Sequence, residues 1–147
     1  MANELSNWEK ENGYTLFDDM KVYKNFDLKF DFKFSEDSNG GIMYHNDYYY
    51  QITTNNDSLN KDPLFTLGSL RGKVTAKNLC VEGRHKDFRG FNNWNTGRII
   101  FQNGRIEHWM NGYQIIDNQT EEKNLESIII LMKNNGVEFQ SIKIKKL

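Results

Sequence analysis

The side chains best suited to proton transfer near neutral pH are three histidines, His45, His85 and His108. They stand far apart, with no H-x-H or H-x-x-x-H spacing, so no metal site is expected. Asp47, two residues after His45, could orient its ring, although an acid there also suits a plain turn. The available carboxylates include Asp31, Asp47, Asp57, Asp62, Asp87, Glu107, Asp117 and Glu138. None forms an E-x-D or E-x-x-E pair, the local pattern that would set two acids roughly 5–10 Å apart across a scissile acetal. Glu107 is the one acid inside a strongly patterned strand, beside His108. Acid–base chemistry therefore points to His45, Glu107 and His108 as candidate catalytic residues. A second chemistry is written in Tyr44-His45-Asn46-Asp47-Tyr48-Tyr49-Tyr50-Gln51. Polar-tipped rings, an amide and an imidazole can stack on and hydrogen-bond to a polyol. Tyr44, Tyr49 and Gln51, with Arg71, Trp94 and Arg98 at the rim, form the candidate ligand-binding set. The plainer alternative is a Tyr-rich hairpin with one face in the core. No cofactor is signalled.

These residues sit on strands. Phe26 to Phe34 puts Phe26, Leu28, Phe30, Phe32 and Phe34 on one face and Asp27, Lys29, Asp31 and Lys33 on the other. The charged face is expected to be solvated. Ser35 to Gly41 reads as a turn. Ile42–His45 and Tyr48–Thr53 read as a hairpin around Asn46-Asp47, and Asn55 to Pro63 as a polar loop. Leu64–Leu70 and Lys73–Val81 are two weaker strands. Glu82 to Asn93 is a loop rich in basic residues, solvated or a lid over a ligand. Asn93 to Gly112 reads as strand, two-residue turn, strand, turn, and leads into Tyr113-Gln114-Ile115-Ile116, a meander. Its turns, Asn103-Gly104 and Asn111-Gly112, are the dipeptides that accept two consecutive positive φ values. Alternation places Arg105, Glu107 and Trp109 on one face and Ile106, His108 and Met110 on the other. Ser127–Met132 and Val137–Lys145 complete the strands. Only Leu5 to Lys10 suggests a helical turn, capped by Ser6. The pattern predicts an all-β antiparallel sandwich in a single domain, 1–147.

Bulk properties narrow the partners. The chain has 147 residues and a formal net charge of −1, with an aromatic fraction of 14%. That charge provides no global field toward nucleic acid or an anionic membrane. No run approaches the ~20 apolar residues of a spanning helix. Cys80 is the single cysteine, so no internal disulfide is possible; its neighbours Leu79 and Val81 suggest a buried thiol. The first residues lack the basic and apolar stretches of a leader peptide, which suggests an intracellular chain or one whose leader has been removed.

Several motifs in order resemble a known family. Asn93-Trp94-Asn95, followed by Gly104-Arg105-Ile106-Glu107-His108-Trp109-Met110-Asn111-Gly112, is similar to the "G-x-W-N … G-x-x-I-x-H-W-L-N-G" signature of the 3-keto-disaccharide hydrolases. Trp8 to Gly13 resembles their "W-x-v-x-d-G", and Tyr23 to Phe32 their "Y-x-D-F-x-L-x-x-E-F". Asn39 to His45 falls at "N-S-G-I-f-f-R", Tyr49 to Ile52 at "E-x-Q-I", Leu67 to Leu70 at "t-G-a-L-Y", and Val137 to Lys145 at "v-x-F-R-N-I-x-I-K". The resemblance implies a concanavalin A-like jelly-roll sandwich and a saccharide, glycoside or keto-glycoside ligand. Elimination at a 3-keto-glycoside would need a base beside the ketone and a cation at the oxyanion. The chain departs from the pattern at informative places. His45 stands where the family has Arg, and Tyr49 where it has Glu. Thr53 or Thr54 stands where an acid follows "Q-I", and Leu131 to Asn135 lacks the Gln and His of "L-Q-x-H-G".

Three functions remain open on sequence: an enzyme on glycosides or keto-glycosides, a sugar-binding module without catalysis, and a structural or protein-interaction sandwich without a sugar ligand. The lost acids favour the second over the first. Clustering of His45, Asp47 and Glu107 in one cleft would favour the enzyme.

Overall fold

In a computed structural model the chain is described over residues 4–45, 47–53, 67–74, 77–81, 88–133 and 136–147, with the backbone alone for 73–74 and 77–81. Among the described residues one short helix precedes eleven strands. The helix α1 (Asn7–Glu11) starts at Ser6, whose hydroxyl accepts from the Glu9 amide while the Glu9 carboxylate accepts from the Ser6 amide. This reciprocal capping box holds a helix too short to persist on propensity alone.

The strands are β1 (Thr15–Leu16), β2 (Phe26–Lys33), β3 (Asn39–Tyr44), β4 (Tyr48–Thr53), β5 (Leu70–Val74), β6 (Lys77–Val81), β7 (Asn95–Gln102), β8 (Arg105–Met110), β9 (Tyr113–Gln119), β10 (Ile130–Met132) and β11 (Glu138–Lys146). They form a six-stranded sheet, β1-β11-β2-β7-β8-β9, and a five-stranded sheet, β10-β3-β4-β5-β6, with antiparallel pairing throughout. This is the all-β concanavalin A-like sandwich that the sequence predicts.

The core lies between the sheets. Phe26, Leu28, Phe30, Phe32 and Phe34 are all buried there, as the alternation requires. Phe30 meets the Tyr50 ring edge-on at 5.2 Å, and Phe26 meets Tyr44 the same way at 5.8 Å. Facing strands thus lock through offset and edge contacts between rings. Opposite Phe30 in the register is Gly97, where an added Cβ would stand 2.3 Å from the ring. The small residue makes room for the large one.

Three details differ from the sequence reading. β3 begins at Asn39, inside the expected turn. The expected strand Lys73–Val81 is two arms: β5 ends at Val74 and β6 begins at Lys77, paired Val74 to Lys77. In β11 the register shifts between Gln140 and Lys143, and Ser141 has φ 53°. This bulge inserts one residue, so Phe139 and Ile144 both reach the core although their numbers differ in parity. Leu64 to Phe65, Arg84 to Asp87 and Thr54 lie outside the described residues.

Both Asn-Gly turns behave as their type demands. Asn103 and Gly104 have φ of 50° and 85°, and Asn111 and Gly112 have 49° and 84°. A Cβ on Gly104 would also stand 2.3 Å from the Thr120 carbonyl oxygen. Gly104→Val is therefore expected to cost about 2–4 kcal/mol, from left-handed strain plus a backbone clash. Urea unfolding of the variant checks this; an unchanged midpoint contradicts it.

Candidate functional site

The expected site residues divide into three groups. Tyr44, His45 and His108 lie in the core and have no surface to offer a ligand. His108 Nδ1 is 3.0 Å from the Gly68 carbonyl, which can only accept, so that nitrogen carries the proton. Its Nε2 then accepts from the Tyr44 hydroxyl at 2.9 Å. Burial drives the imidazole pKa down to about 4, only partly offset by the Gly68 bond. His45 is held at φ 51°, and its Nε2 donates to the Lys24 carbonyl at 2.9 Å. The Ser127 hydroxyl accepts from the His45 amide at 2.7 Å and lies 3.3 Å from Nδ1. The ring stands edge-on to Phe101 with centroids 4.4 Å apart. Burial lowers the His45 pKa too, against the Lys24 bond. Both imidazoles, candidates for acid and base on sequence, lie buried and bond backbone carbonyls. Tyr44, expected to bind ligand, is likewise a core ring whose hydroxyl is matched to His108.

Glu107 is on the outer face of the six-stranded sheet, as the β8 alternation implies. It accepts from the Trp109 indole Nε1 at 3.3 Å and from Gln114 Nε2 at 3.0 Å. Arg105 Nε is 3.8 Å from its other oxygen. It orients an indole, and it shares no cleft with His45, which is inside the sandwich. Among the described residues no group of three His, Cys, Asp or Glu side chains could hold a metal ion.

Tyr49, Gln51 and Arg71 share the outer face of the five-stranded sheet. Tyr48, Tyr50 and Ile52 are buried, so period 2 turns Tyr49 and Gln51 the other way. Tyr49 pairs directly with Arg71 on one side and Met43 on the other, and Met43 with Ile130. Gln51 is opposite Gly41 on one side and next to Ser69 on the other, where its backbone amide N–H donates to the Ser69 carbonyl at 3.2 Å. The result is a ring, an amide and a guanidinium on a sheet surface. Cross-strand neighbours stand about 4.5–5.5 Å apart. Thr53, at the far end of the same strand, is buried and donates to the Ser38 carbonyl at 3.0 Å.

Arg98 is on the other sheet, in β7, and Trp94 immediately precedes that strand. The Lys33 ammonium sits 4.9 Å from the Trp94 ring centroid. Arg98 makes a two-pronged bond to Asp27, Nε to Oδ1 at 2.8 Å and Nη2 to Oδ2 at 2.6 Å. Tyr14 also donates to Asp27 at 2.7 Å, and burial with that bond pushes the Tyr14 hydroxyl up to about 12. Arg98 is thereby fixed, with its guanidinium carbon 5.8 Å from the Trp109 ring centroid.

A groove of about 390 Å³ runs along this same outer face. β2 contributes Lys29 and Asp31, β7 Thr96 and Arg98, β8 Trp109, β11 Ser141 and Lys143, and α1 closes one side with Glu9. Lys143 Nζ clamps Glu9 at 2.8–2.9 Å, tying the helix to the sheet. Burial raises the Glu9 pKa, but the Lys143 ammonium and the Ser6 bonds outweigh it and hold the carboxyl below its ordinary range. Sequence alternation placed Asp27 to Lys33 on an outer face. It carried no sign that a helix some twenty residues upstream would wall that face; the Ser6/Glu9 capping pair marks the helix, not its docking place.

The sequence profile of the 3-keto-alpha-glucoside-1,2-lyase-like domain matches residues 2–145. No curated protein sequence matches the chain. The fold is similar to a candidate glycosyl hydrolase from Parabacteroides distasonis, with TM-score 0.74 and 18% identity over 99% of each chain. It is also similar to a carbohydrate-binding module from Bacillus subtilis, with TM-score 0.59 and 13% identity over 86% of this chain and 78% of that one. A third likeness is domain 4 of an extracellular arabinanase from Geobacillus stearothermophilus, solved with arabinotriose. Its TM-score is 0.52 and its identity 11%, over 89% of this chain and 65% of that one.

Proposed function

The chain belongs to the 3-keto-alpha-glucoside-1,2-lyase-like family, and family and fold alike mark a carbohydrate-binding or glycosidase-like domain; from that premise we propose that it binds a saccharide through Tyr49, Gln51 and Arg71. The observation that carries this reading is the placement of those three side chains on one outer face, while Tyr48 and Tyr50, on either side of Tyr49, are turned inward. An aromatic ring flanked by an amide and a guanidinium suits a sugar ring. The phenol covers the apolar face of its C–H groups, and the polar pair reaches its hydroxyls. Support comes also from the arabinanase domain of similar fold, which was solved in complex with arabinotriose.

Binding is favoured over turnover by the chemistry of the face. Its described members include Met43, Tyr49, Gln51, Thr53, Ser69, Arg71 and Ile130, none of which carries a carboxylate or an imidazole. Proton abstraction beside a ketone needs a base poised near the working pH. The two described histidines answer to backbone carbonyls in the core instead.

A stacked ring with a few hydrogen bonds gives weak binding, with a dissociation constant of order 0.1–1 mM. Calorimetric titration with disaccharides and their 3-keto forms is expected to return a value in that range. Tyr49→Ala and Gln51→Ala should each weaken it about tenfold or more. Unchanged heats across the panel would favour an interaction sandwich with no sugar ligand. Turnover of a 3-keto-glycoside, lost in Tyr49→Ala, would make the same face an active site.

A further inference from the structure

We propose that the groove on the outer face of the six-stranded sheet is a second binding site, for an uncharged saccharide, on the opposite side of the sandwich from Tyr49. It is independent of the reading given for that residue: no side chain is shared and the two faces are separated by the core.

Charge in the groove sets the ligand class. The register aligns Lys143, Lys29 and Arg98 in one row across β11, β2 and β7. Two of these cations are already matched: Lys143 to Glu9, and Arg98 to Asp27. Lys29 is held differently, with its ammonium 5.1 Å from the Trp8 centroid and 4.7 Å from the Tyr14 centroid. Those rings attract the charge without taking its hydrogen-bond donors. Asp31, two residues along the same strand and on the same face, is the remaining acid. Burial raises its pKa above the usual carboxylate range, with bonds from Gln140 and Ser141 and the Lys143 charge acting against that rise. One unpaired donor group and one acceptor group therefore face the cavity, a single charge of each sign. An anionic ligand would be drawn to Lys29 but opposed by Asp31, and a cationic one the reverse. A polyol meets no such conflict, because its hydroxyls accept from Lys29 and donate to Asp31.

The apolar component is also built. Trp109 is directly opposite Arg98 in the register, and Glu107 holds its Nε1. The indole so fixed borders the groove and offers a planar surface for a sugar ring. Thr96, between Asp31 and the Asn111 turn, adds a hydroxyl. A volume of about 390 Å³ falls in the range of small-ligand sites, roughly 300–1,000 Å³.

The test is an amide and indole NMR titration of the Tyr49→Ala protein, in which the other face is disabled. The probes are maltose, cellobiose and sucrose, with glucuronate and inorganic phosphate as charged arms. Saturable shifts are expected at Lys29, Asp31, Thr96 and the Trp109 indole N–H with at least one neutral sugar, at a dissociation constant of order 1 mM. Lys29→Met should weaken them about tenfold. Thr96→Val, a milder change, should weaken them less and guards against a Lys29 variant that fails to fold. Absence of saturable groove shifts with all three sugars overturns the proposal. So does saturation by glucuronate or phosphate alone. Groove shifts in wild type without any at Tyr49, Gln51 or Arg71 would uphold this site and refute the other one.

Discussion

Phe30→Ala is expected to lower stability by about 3–5 kcal/mol, the range for deleting a buried phenyl ring from a close-packed core. Phe30 is 2% exposed. It sits at the meeting point of the sheets, in ring contact with Phe32 at 5.9 Å, Tyr50 at 5.2 Å and Phe139 at 6.1 Å. The site cannot collapse easily, because Gly97 beneath it has no side chain to move into the gap. Gln102→Ala, exposed at the end of the neighbouring strand, should stay within about 0.5 kcal/mol. Urea denaturation of the two variants separates these outcomes. Equal midpoints would mean that the β2 faces are reversed.

The second large effect is a loss of stability in acid, driven by His108. Its folded-state pKa of about 4 lies below the ordinary value near 6.5. Protonation therefore favours the unfolded chain. Stability is fully present above pH ~6.5, falls as the pH drops toward 4, and stops changing on this account below that. A gap of about 2.5 units corresponds to roughly 3 kcal/mol. His45, lowered in the same direction by burial, adds to the slope in the same window. His108→Gln keeps hydrogen-bonding capacity toward Gly68 and Tyr44 without a titrating ring, so its stability should depend less on pH between 6.5 and 4. Histidine C–H resonances followed by NMR check the cause: His108 should hold its neutral shift down to about pH 5. A midpoint near 6.5 for that ring would contradict the account.

Much of the fold was legible because period 2 is strict wherever a strand buries one face. Phe26 to Phe34 and Arg105 to Met110 face as their alternation requires, and both Asn-Gly turns adopt two positive φ values. That same alternation already grouped His108 with Ile106 and Met110, so its burial was written in β8. The lure was the residue type: an imidazole suggests chemistry even where its neighbours suggest packing. His45 is a different case. Its left-handed backbone at the end of β3 breaks the alternation, and no local pattern announces that its ring turns inward against Phe101. The Tyr44–Tyr50 stretch mixes both outcomes, since even-numbered tyrosines pack and Tyr49 does not. The bulge at Ser141 was visible only as a parity conflict between Phe139 and Ile144. The groove was not legible, because it unites residues from Glu9 to Lys143 through strand order, which short-range patterns do not encode.

Arg98 and Glu107 show how charge serves this sandwich. Each holds a neighbouring side chain in place. Asp27 and Arg98 form a half-buried two-pronged pair, stiffer than an exposed ion pair of flexible chains. Glu107 sets the angle of Trp109. Fixed planar groups lose little freedom when a ligand arrives, which favours weak but specific recognition.

The central claim is that a saccharide docks on the face of Tyr49, Gln51 and Arg71. A crystal structure of the protein grown with a disaccharide tests it most directly. The account predicts sugar density stacked on the Tyr49 ring, with hydroxyls within about 3.2 Å of the Gln51 amide and the Arg71 guanidinium. A saturated crystal with that face empty, or with the sugar elsewhere only, would contradict it.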